Sequence, residues 1–309
     1  SRRTPSQPTL RPAPAPSPFR PAPLPVASSP SPQIIRSEPR IEPRSEPQWT
    51  LTPTRTQATV LHCEILNAAQ LSRSLPPKDF AEIVNRLLGI CAETTAARNG
   101  EMDRADSESF RAFFKQTASG EQHAQAAVHA ALALRTRLQS LSDECELKSG
   151  CELDARIGIS TGEVLLANFG PLKNQRVCVA GETSEWSRRL ACANQLYGSK
   201  ILVSSQTRRL AESAVELRSI DLLQRALPPE PPEEVFELLA LAGTLSPEAQ
   251  TRLQKYREGV AHLRLRNWSA ARKCLRDAQP AQSTDDAIDL LVHRINEQEA
   301  LAGLVLEED

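Results

Sequence analysis

The sequence lacks an apolar run long enough to cross a membrane. No stretch of its 309 residues approaches the roughly 18 consecutive apolar residues that a spanning helix needs. The run after Ser1 is basic and rich in proline, without the apolar core of a secretory leader. We therefore expect no membrane-spanning segment within these residues and a cytoplasmic location.

A strong net charge is also absent. The 37 Lys and Arg residues nearly balance the 38 Asp and Glu residues, for a net charge of −1. This balance argues against a general nucleic-acid or anionic-membrane binder. The 7 cysteines form no CxxC motif. An odd number of scattered cysteines without metal-ligand spacing predicts reduced thiols in a cytosolic compartment.

Two further motifs are missing. The 5 histidines show no HExxH spacing, and the glycines form no phosphate-cradling loop of the P-loop kind. His62 is expected at the surface or in the core rather than as a metal ligand.

The first zone of the chain, residues 1–56, is rich in proline. Fifteen of the 24 prolines lie between Pro5 and Pro53, and eight Arg against three Glu give this zone a charge of +5. Such a composition buries too little surface to offset the entropy cost of ordering. We predict a disordered, extended linker, with a docking site for a proline-reading module as the alternative.

The second zone, residues 57–242, has a globular pattern. Apolar residues at helical spacing between Phe80 and Cys91 predict an amphipathic helix. β-Branched and apolar runs predict strands, and the two runs on either side of Gly162 are expected to form a hairpin. The order of strands and helices predicts an α+β domain, with one sheet and helices packed on it.

The third zone, residues 246–309, is predicted to be helical. Tyr256, Gly259, Ala271, Leu275 and Ala278 fit one tetratricopeptide-like helix pair. One pair cannot bury its own apolar face, so it is expected to dock on the globular domain, a partner or a second copy. An αα-hairpin cap is favoured over a peptide-binding groove.

Four segments of the second zone, in order and at matching separations, resemble one known family. They are VLHCEILNAAQLS, NGEMDRADSESFRAFF, ARIGISTGEVLLANFG and VCVAGETSEWSRRLACAN. Together they resemble the class III nucleotidyl cyclases, the adenylyl and guanylyl cyclase family, between about residues 58 and 240.

This resemblance implies a ferredoxin-like domain that works as a head-to-tail homodimer, or as a heterodimer with another cyclase domain. In the family, two divalent ions, Mg²⁺ or Mn²⁺, assist attack of the ribose 3′-oxygen of ATP or GTP on the α-phosphate. An arginine spreads the charge of the transition state.

By position, the resemblance assigns the metal role to Glu64 and Glu108, where the family has aspartates. Each side chain is one methylene longer, and Mg²⁺ demands near-ideal octahedral geometry. The base-reading positions hold Arg104, where the family has lysine, and Cys178.

Glu185 stands where the family has a ribose-orienting asparagine, and Arg189 keeps the transition-state arginine. Glu185 adds a negative charge near a triphosphate. It is also expected to pair with Arg189, its neighbour one helical turn along.

These substitutions favour a catalytically weak or inactive cyclase-homology domain that signals by dimerisation or nucleotide binding. The alternatives are an active cyclase of altered geometry and a heterodimer partner of an intact cyclase. Met102 is the only methionine, and we expect an upstream sensory or membrane portion, which would make the chain the soluble part of a larger membrane-anchored receptor.

Overall fold

The second zone folds as the predicted mixture of strands and helices, although its details differ from the expectation. The computed structural model describes residues 52–116, 123–170, 175–225, 231–281 and 283–306. Its strands are β1 Thr54–Ile65, β2 Glu101–Ala105, β3 Ser109–Lys115, β4 Ala155–Phe169, β5 Arg176–Ala180, β6 Ile201–Val203, β7 Val215–Leu223 and β8 Glu233–Leu241. Its helices are α1 Ala68–Ser74, α2 Pro77–Ala96, α3 His123–Ser149, α4 Glu182–Tyr197, α5 Ser205–Ala211, α6 Pro247–Arg264, α7 Trp268–Asp277 and α8 Asp286–Leu306.

All eight strands join one sheet. Seven lie in the order β2-β3-β1-β4-β6-β8-β7, and β5 pairs with the C-terminal end of β4. The pairs are antiparallel except that of β4 with β6, which is parallel. The predicted α+β class, one sheet with helices packed on it, is confirmed.

The predicted hairpin around Gly162 is wrong. β4 runs through this glycine as one strand of 15 residues, and Ala58 of β1 pairs with Gly162. Gly162 has no positive φ. A Cβ at this position would lie 2.6 Å from Oγ1 of Thr183 on α4. The glycine therefore serves the close approach of a helix, not a turn.

The two faces of the sheet carry different helices. Leu61 and Cys63 of β1 point into a large apolar core shared with α2 and α3. The alternate residues of β1, which include His62 and Glu64, lie on the opposite face because side chains alternate along a strand. α4 packs on that second face, where Trp186 and Leu190 are buried.

The helical third zone packs on the sheet of its own chain. The guanidinium of Arg218 on β7 lies between the carboxylates of Glu237 and Asp285, each at 2.6 Å, and over the Tyr256 ring at 4.9 Å. The Tyr256 hydroxyl donates to the Ser219 carbonyl oxygen at 2.7 Å. The predicted helix pair is present as α6 and α7, and α8 follows it.

Two other expectations concern the proline-rich linker and membrane-spanning helices. Of the predicted linker, residues 1–51 lie outside the described residues, and Thr54 to Thr56 already belong to β1. Among the described residues, no helix combines the length and the apolar character that crossing a bilayer requires.

The seat of α4 on β4 gives a first prediction. An alanine Cβ at position 158 would lie 2.0 Å from the Ser187 carbonyl oxygen and 2.3 Å from the Ala191 nitrogen, both backbone atoms of α4. We expect Gly158→Ala to lower the free energy of unfolding by about 3 kcal/mol, because the helix has to move off the sheet. Urea unfolding followed by circular dichroism measures this change.

Gly89→Ala is the matched control for that prediction. Gly89 lies inside α2, and nothing stands within 4 Å of the position its Cβ would take. An alanine there should raise the free energy of unfolding by about 0.5–1 kcal/mol, since it relieves the entropy cost of a helical glycine. Equal effects of the two substitutions would contradict the close packing at Gly158.

Candidate functional site

The two carboxylates assigned to metal binding lie at the same end of neighbouring strands. Glu64 stands near the end of β1 and pairs with Ser109 of β3. Glu108 directly precedes β3, and its carbonyl oxygen accepts a 2.7 Å hydrogen bond from the Ile65 nitrogen. The fold therefore places the backbones of Glu64 and Glu108 on adjacent strands at the same end of the sheet.

Glu64 is engaged by a histidine of its own strand. The Nε2 of His62 donates to Oε2 of Glu64 at 2.9 Å, and the imidazole is only 5% exposed. Burial lowers the pKa of His62, and the hydrogen bond to Glu64 offsets this only in part. The imidazole is therefore neutral near pH 7. Its Nδ1 has no hydrogen-bond partner among the described residues.

The donor chemistry of this end of the sheet fits an oxygen-preferring divalent cation. Glu64 and Glu108 offer carboxylate oxygens, the ligands that Mg²⁺ and Mn²⁺ prefer. One oxygen of Glu64 already accepts from His62. The described part of the chain holds no cluster of three or more His, Cys, Asp or Glu side chains suited to a metal. A cation there would therefore need ligands besides the His, Cys, Asp and Glu side chains of these described residues.

Asp106 shapes the turn that carries Glu108. Its carboxylate accepts from the backbone nitrogens of Glu108 at 2.9 Å and Ser109 at 2.7 Å. Burial opposes ionisation of Asp106, but these hydrogen bonds outweigh it and the pKa lies below its usual value. Asp106 also faces the half-exposed Arg104 at 3.6 Å. Arg104 thus lies on the rim of the site.

A buried ion pair joins the strands that carry Arg104 and Cys178. Asp103 accepts two hydrogen bonds from Arg111, at 2.9 and 2.7 Å, and its side chain is 0% exposed. The Cys178 thiol donates to the Asp103 carbonyl oxygen at 3.6 Å. Burial raises the pKa of that thiol, and the nearby Asp103 charge adds to the effect.

The first turns of α4 hold Glu185 and Arg189, as predicted. Arg189 donates through Nε to Glu185 at 3.4 Å and through Nη1 to the Arg225 carbonyl oxygen at 2.5 Å. The main partner of Glu185 is Arg188, which donates twice, at 2.7 and 3.1 Å. These hydrogen bonds from Arg188 lower the pKa of Glu185.

Sequence reasoning missed the roles of Asp103, Arg111 and Arg188. The charge of Arg188 adds to the burial that lowers the pKa of His62, and the charge of Glu64 in turn acts on Arg188. One signal was available for Arg111, a charge in the middle of the apolar strand SFRAFF. Asp103 gave no such signal, because its burial depends on an irregularity in the pairing of β2 with β3. Within the described part of the chain, no hydrogen bond or ion pair joins Glu64 or Glu108 to Arg189.

Comparison with known proteins assigns the sequence of this domain to a family. A sequence profile of the Adenylate and Guanylate cyclase catalytic domain matches residues 52–224, more than half of the chain. Adenylate cyclase 1 of Rhizobium meliloti is 22% identical over 166 residues, which cover 54% of this chain and 25% of that protein. The match thus spans about a quarter of that curated relative's length.

Two solved structures share the fold. The adenylyl cyclase CyaB from P. aeruginosa superposes with a TM-score of 0.56 at 22% identity, over 63% of this chain and 100% of that chain. The guanylate cyclase domain of RhGC from Catenaria anguillulae, in complex with GTP, gives a TM-score of 0.51 at 19% identity, over 61% of this chain and 99% of that chain. At such identities the likeness shows the fold alone.

The His62–Glu64 contact gives a prediction about metal affinity. We expect His62→Phe to tighten Mn²⁺ binding about threefold to tenfold, because both oxygens of Glu64 become available and an aromatic ring still fills the space. Electron paramagnetic resonance of free Mn²⁺ measures this affinity without any turnover. Glu64→Gln is the control and should weaken Mn²⁺ binding in both backgrounds. No gain in His62→Phe would show that the histidine does not restrain Glu64.

Proposed function

Given that this chain belongs to the adenylate and guanylate cyclase catalytic-domain family, we propose that it acts in signal transduction with little or no cyclase turnover. It would signal by dimerisation or by binding a nucleotide. The main support is that polar groups at the assigned catalytic positions are engaged by the chain itself. Glu64 binds His62, and Arg189 binds Glu185 and the Arg225 carbonyl oxygen.

The lengthened acids add a geometric argument. Cyclisation needs the attacking oxygen, the α-phosphate and the metal ions in register, and an error of about 1 Å can cost roughly a hundredfold in rate. Glu64 and Glu108 each place the carboxylate one methylene farther from the backbone than an aspartate does. If a metal binds, these two residues would hold Mg²⁺ or Mn²⁺, which would neutralise phosphate charge.

The remaining site residues support binding better than chemistry. Arg104 and Cys178 stand at the assigned base-reading positions, on strands joined through Asp103. ATP and GTP both remain candidates for the bound nucleotide. The partner would be a second copy, or an intact cyclase whose rate changes on mixing with this chain. The seven free cysteines support the proposed cytoplasmic location.

The direct test is a cyclase assay on the purified chain. We expect no cyclic AMP or cyclic GMP above the enzyme-free rate from ATP or GTP with Mg²⁺ or Mn²⁺, because the groups needed for chemistry are engaged. Fluorescent mant-ATP and mant-GTP binding, with and without Mn²⁺, reports whether a nucleotide still binds. Cyclic nucleotide formation that Arg189→Ala abolishes would overturn the proposal.

An active cyclase of altered geometry is the second candidate. It is favoured by the placement of Glu64 and Glu108 at the same end of adjacent strands and by the unchanged Arg189. The double variant Glu64→Asp, Glu108→Asp separates the two candidates, since it restores the acid length the family uses. We expect it to stay inactive with Mn²⁺, because the contacts of His62 and Glu185 remain. A rate gain of about tenfold or more would favour the second candidate.

A further inference from the structure

Asp103 is a charged residue that an irregular strand directs into the protein. β2 pairs Met102 with Ala112 and Arg104 with Arg111, so Asp103 is the extra residue of a β-bulge. It is the one buried residue of this strand, whose other four residues are exposed. Bulges reorient a side chain and are frequent beside active sites.

The pair that Asp103 forms with Arg111 reaches beyond its own hairpin. Oδ2 of Asp103 accepts from the Val179 backbone nitrogen on β5 at 2.7 Å. Nη1 of Arg111 donates to Oγ of Ser184 in the first turn of α4 at 2.8 Å. One ion pair thus joins the β2–β3 hairpin, β5 and α4.

Each anchored residue is the chain neighbour of an assigned site residue. Asp103 precedes Arg104, Val179 follows Cys178, and Ser184 precedes Glu185. A shift of the ion pair would therefore move the two base-reading positions and the ribose position relative to one another.

Stability alone explains this pair poorly. A buried ion pair is often no better for stability than apolar residues of similar volume. The sheet does not depend on it either, because β2 and β3 are already joined by backbone pairing. What the pair adds is a fixed spacing between three separate elements.

We propose that Asp103 and Arg111 are positioning residues that fix Arg104, Cys178 and Glu185 in one arrangement for a nucleotide. The binding part of this inference rests on the proposed function. The placement of β2 against β5 does not, and it can be measured without any ligand.

The test is the double variant Asp103→Asn, Arg111→Met. The amide keeps an acceptor for the Val179 nitrogen, methionine fills the volume of Arg111, and no unpaired charge stays buried. Burial raises the pKa of Cys178, Asp103 raises it further and Arg111 lowers it, so the double variant removes two charge effects of opposite sign. Reactivity at Cys178 then reports the contact between β5 and β2.

Three quantities are measured on the full chain: the melting temperature, the alkylation rate of Cys178 by peptide mass spectrometry, and the mant-ATP and mant-GTP dissociation constants. Cys274 on α7 is the internal reference thiol. We expect a melting temperature within about 5 °C of the parent chain. Cys178 alkylation should rise about fivefold relative to Cys274. The dissociation constants should rise about tenfold.

The outcomes separate the two proposals. If the parent chain binds neither nucleotide, the binding part of the proposed function fails, and the Cys178 rate alone decides whether the pair positions β2. Unchanged Cys178 reactivity and unchanged nucleotide binding, at an unchanged melting temperature, would overturn the inference.

If the double variant does not fold, two milder variants test whether the ion pair positions α4. Ser184 and Ser187 are both buried on α4, but among the described residues the Ser187 hydroxyl bonds only to the Ser184 carbonyl oxygen of its own helix. Ser184→Ala should weaken mant-nucleotide binding or expose Cys178 by about twofold to fivefold. Ser187→Ala should change neither. Equal effects of the two would show that α4 does not depend on the ion pair.

Discussion

The close approach of α4 to β4 is the constraint on which the candidate site depends. At Gly158 the helix backbone lies so near the strand that no side chain fits between them, and at Gly162 Thr183 fills the space of a Cβ. Because the approach is fixed at two points one turn from each other on α4, the direction of its first turns is fixed as well. Those turns then place Ser184 against Arg111 and bring Arg188 near Glu64.

Within that frame, the charges at the site are balanced by neighbours on the same chain. Glu64 accepts from a neutral histidine, and Glu185 accepts from two arginines. The neutral histidine offers Glu64 no opposite charge, whereas Arg188 faces Glu185 with one. The two glutamates therefore differ physically. The contact with His62 reduces the lone pairs that Glu64 can offer to a cation, and the charge of Glu185 is compensated by Arg188.

The sequence could predict many of the strands and helices, but not the structural role of each glycine. Apolar spacing between Phe80 and Cys91 correctly predicts α2, because one helix face must be buried. The predicted hairpin at Gly162 was wrong because a glycine can either form a turn or leave room for a closely packed neighbour. Only the packing of α4 shows that Gly162 does the second. Asp103 was missed for a related reason. A bulge reverses the facing of one residue, and no periodic pattern in a five-residue strand reveals it.

The pairing of Glu185 changes the electrostatic argument about a bound nucleotide. An unpaired carboxylate 4 Å from a phosphate would repel it by about 1 kcal/mol in water and more when buried. With Arg188 and Arg189 both against Glu185, the three side chains together carry a charge of +1. The paired Glu185 therefore adds no net repulsion of a phosphate, although its contact with Arg189 restrains the arginine that would have to reach a transition state. This arrangement is a further argument for the function proposed above, nucleotide binding with little or no turnover.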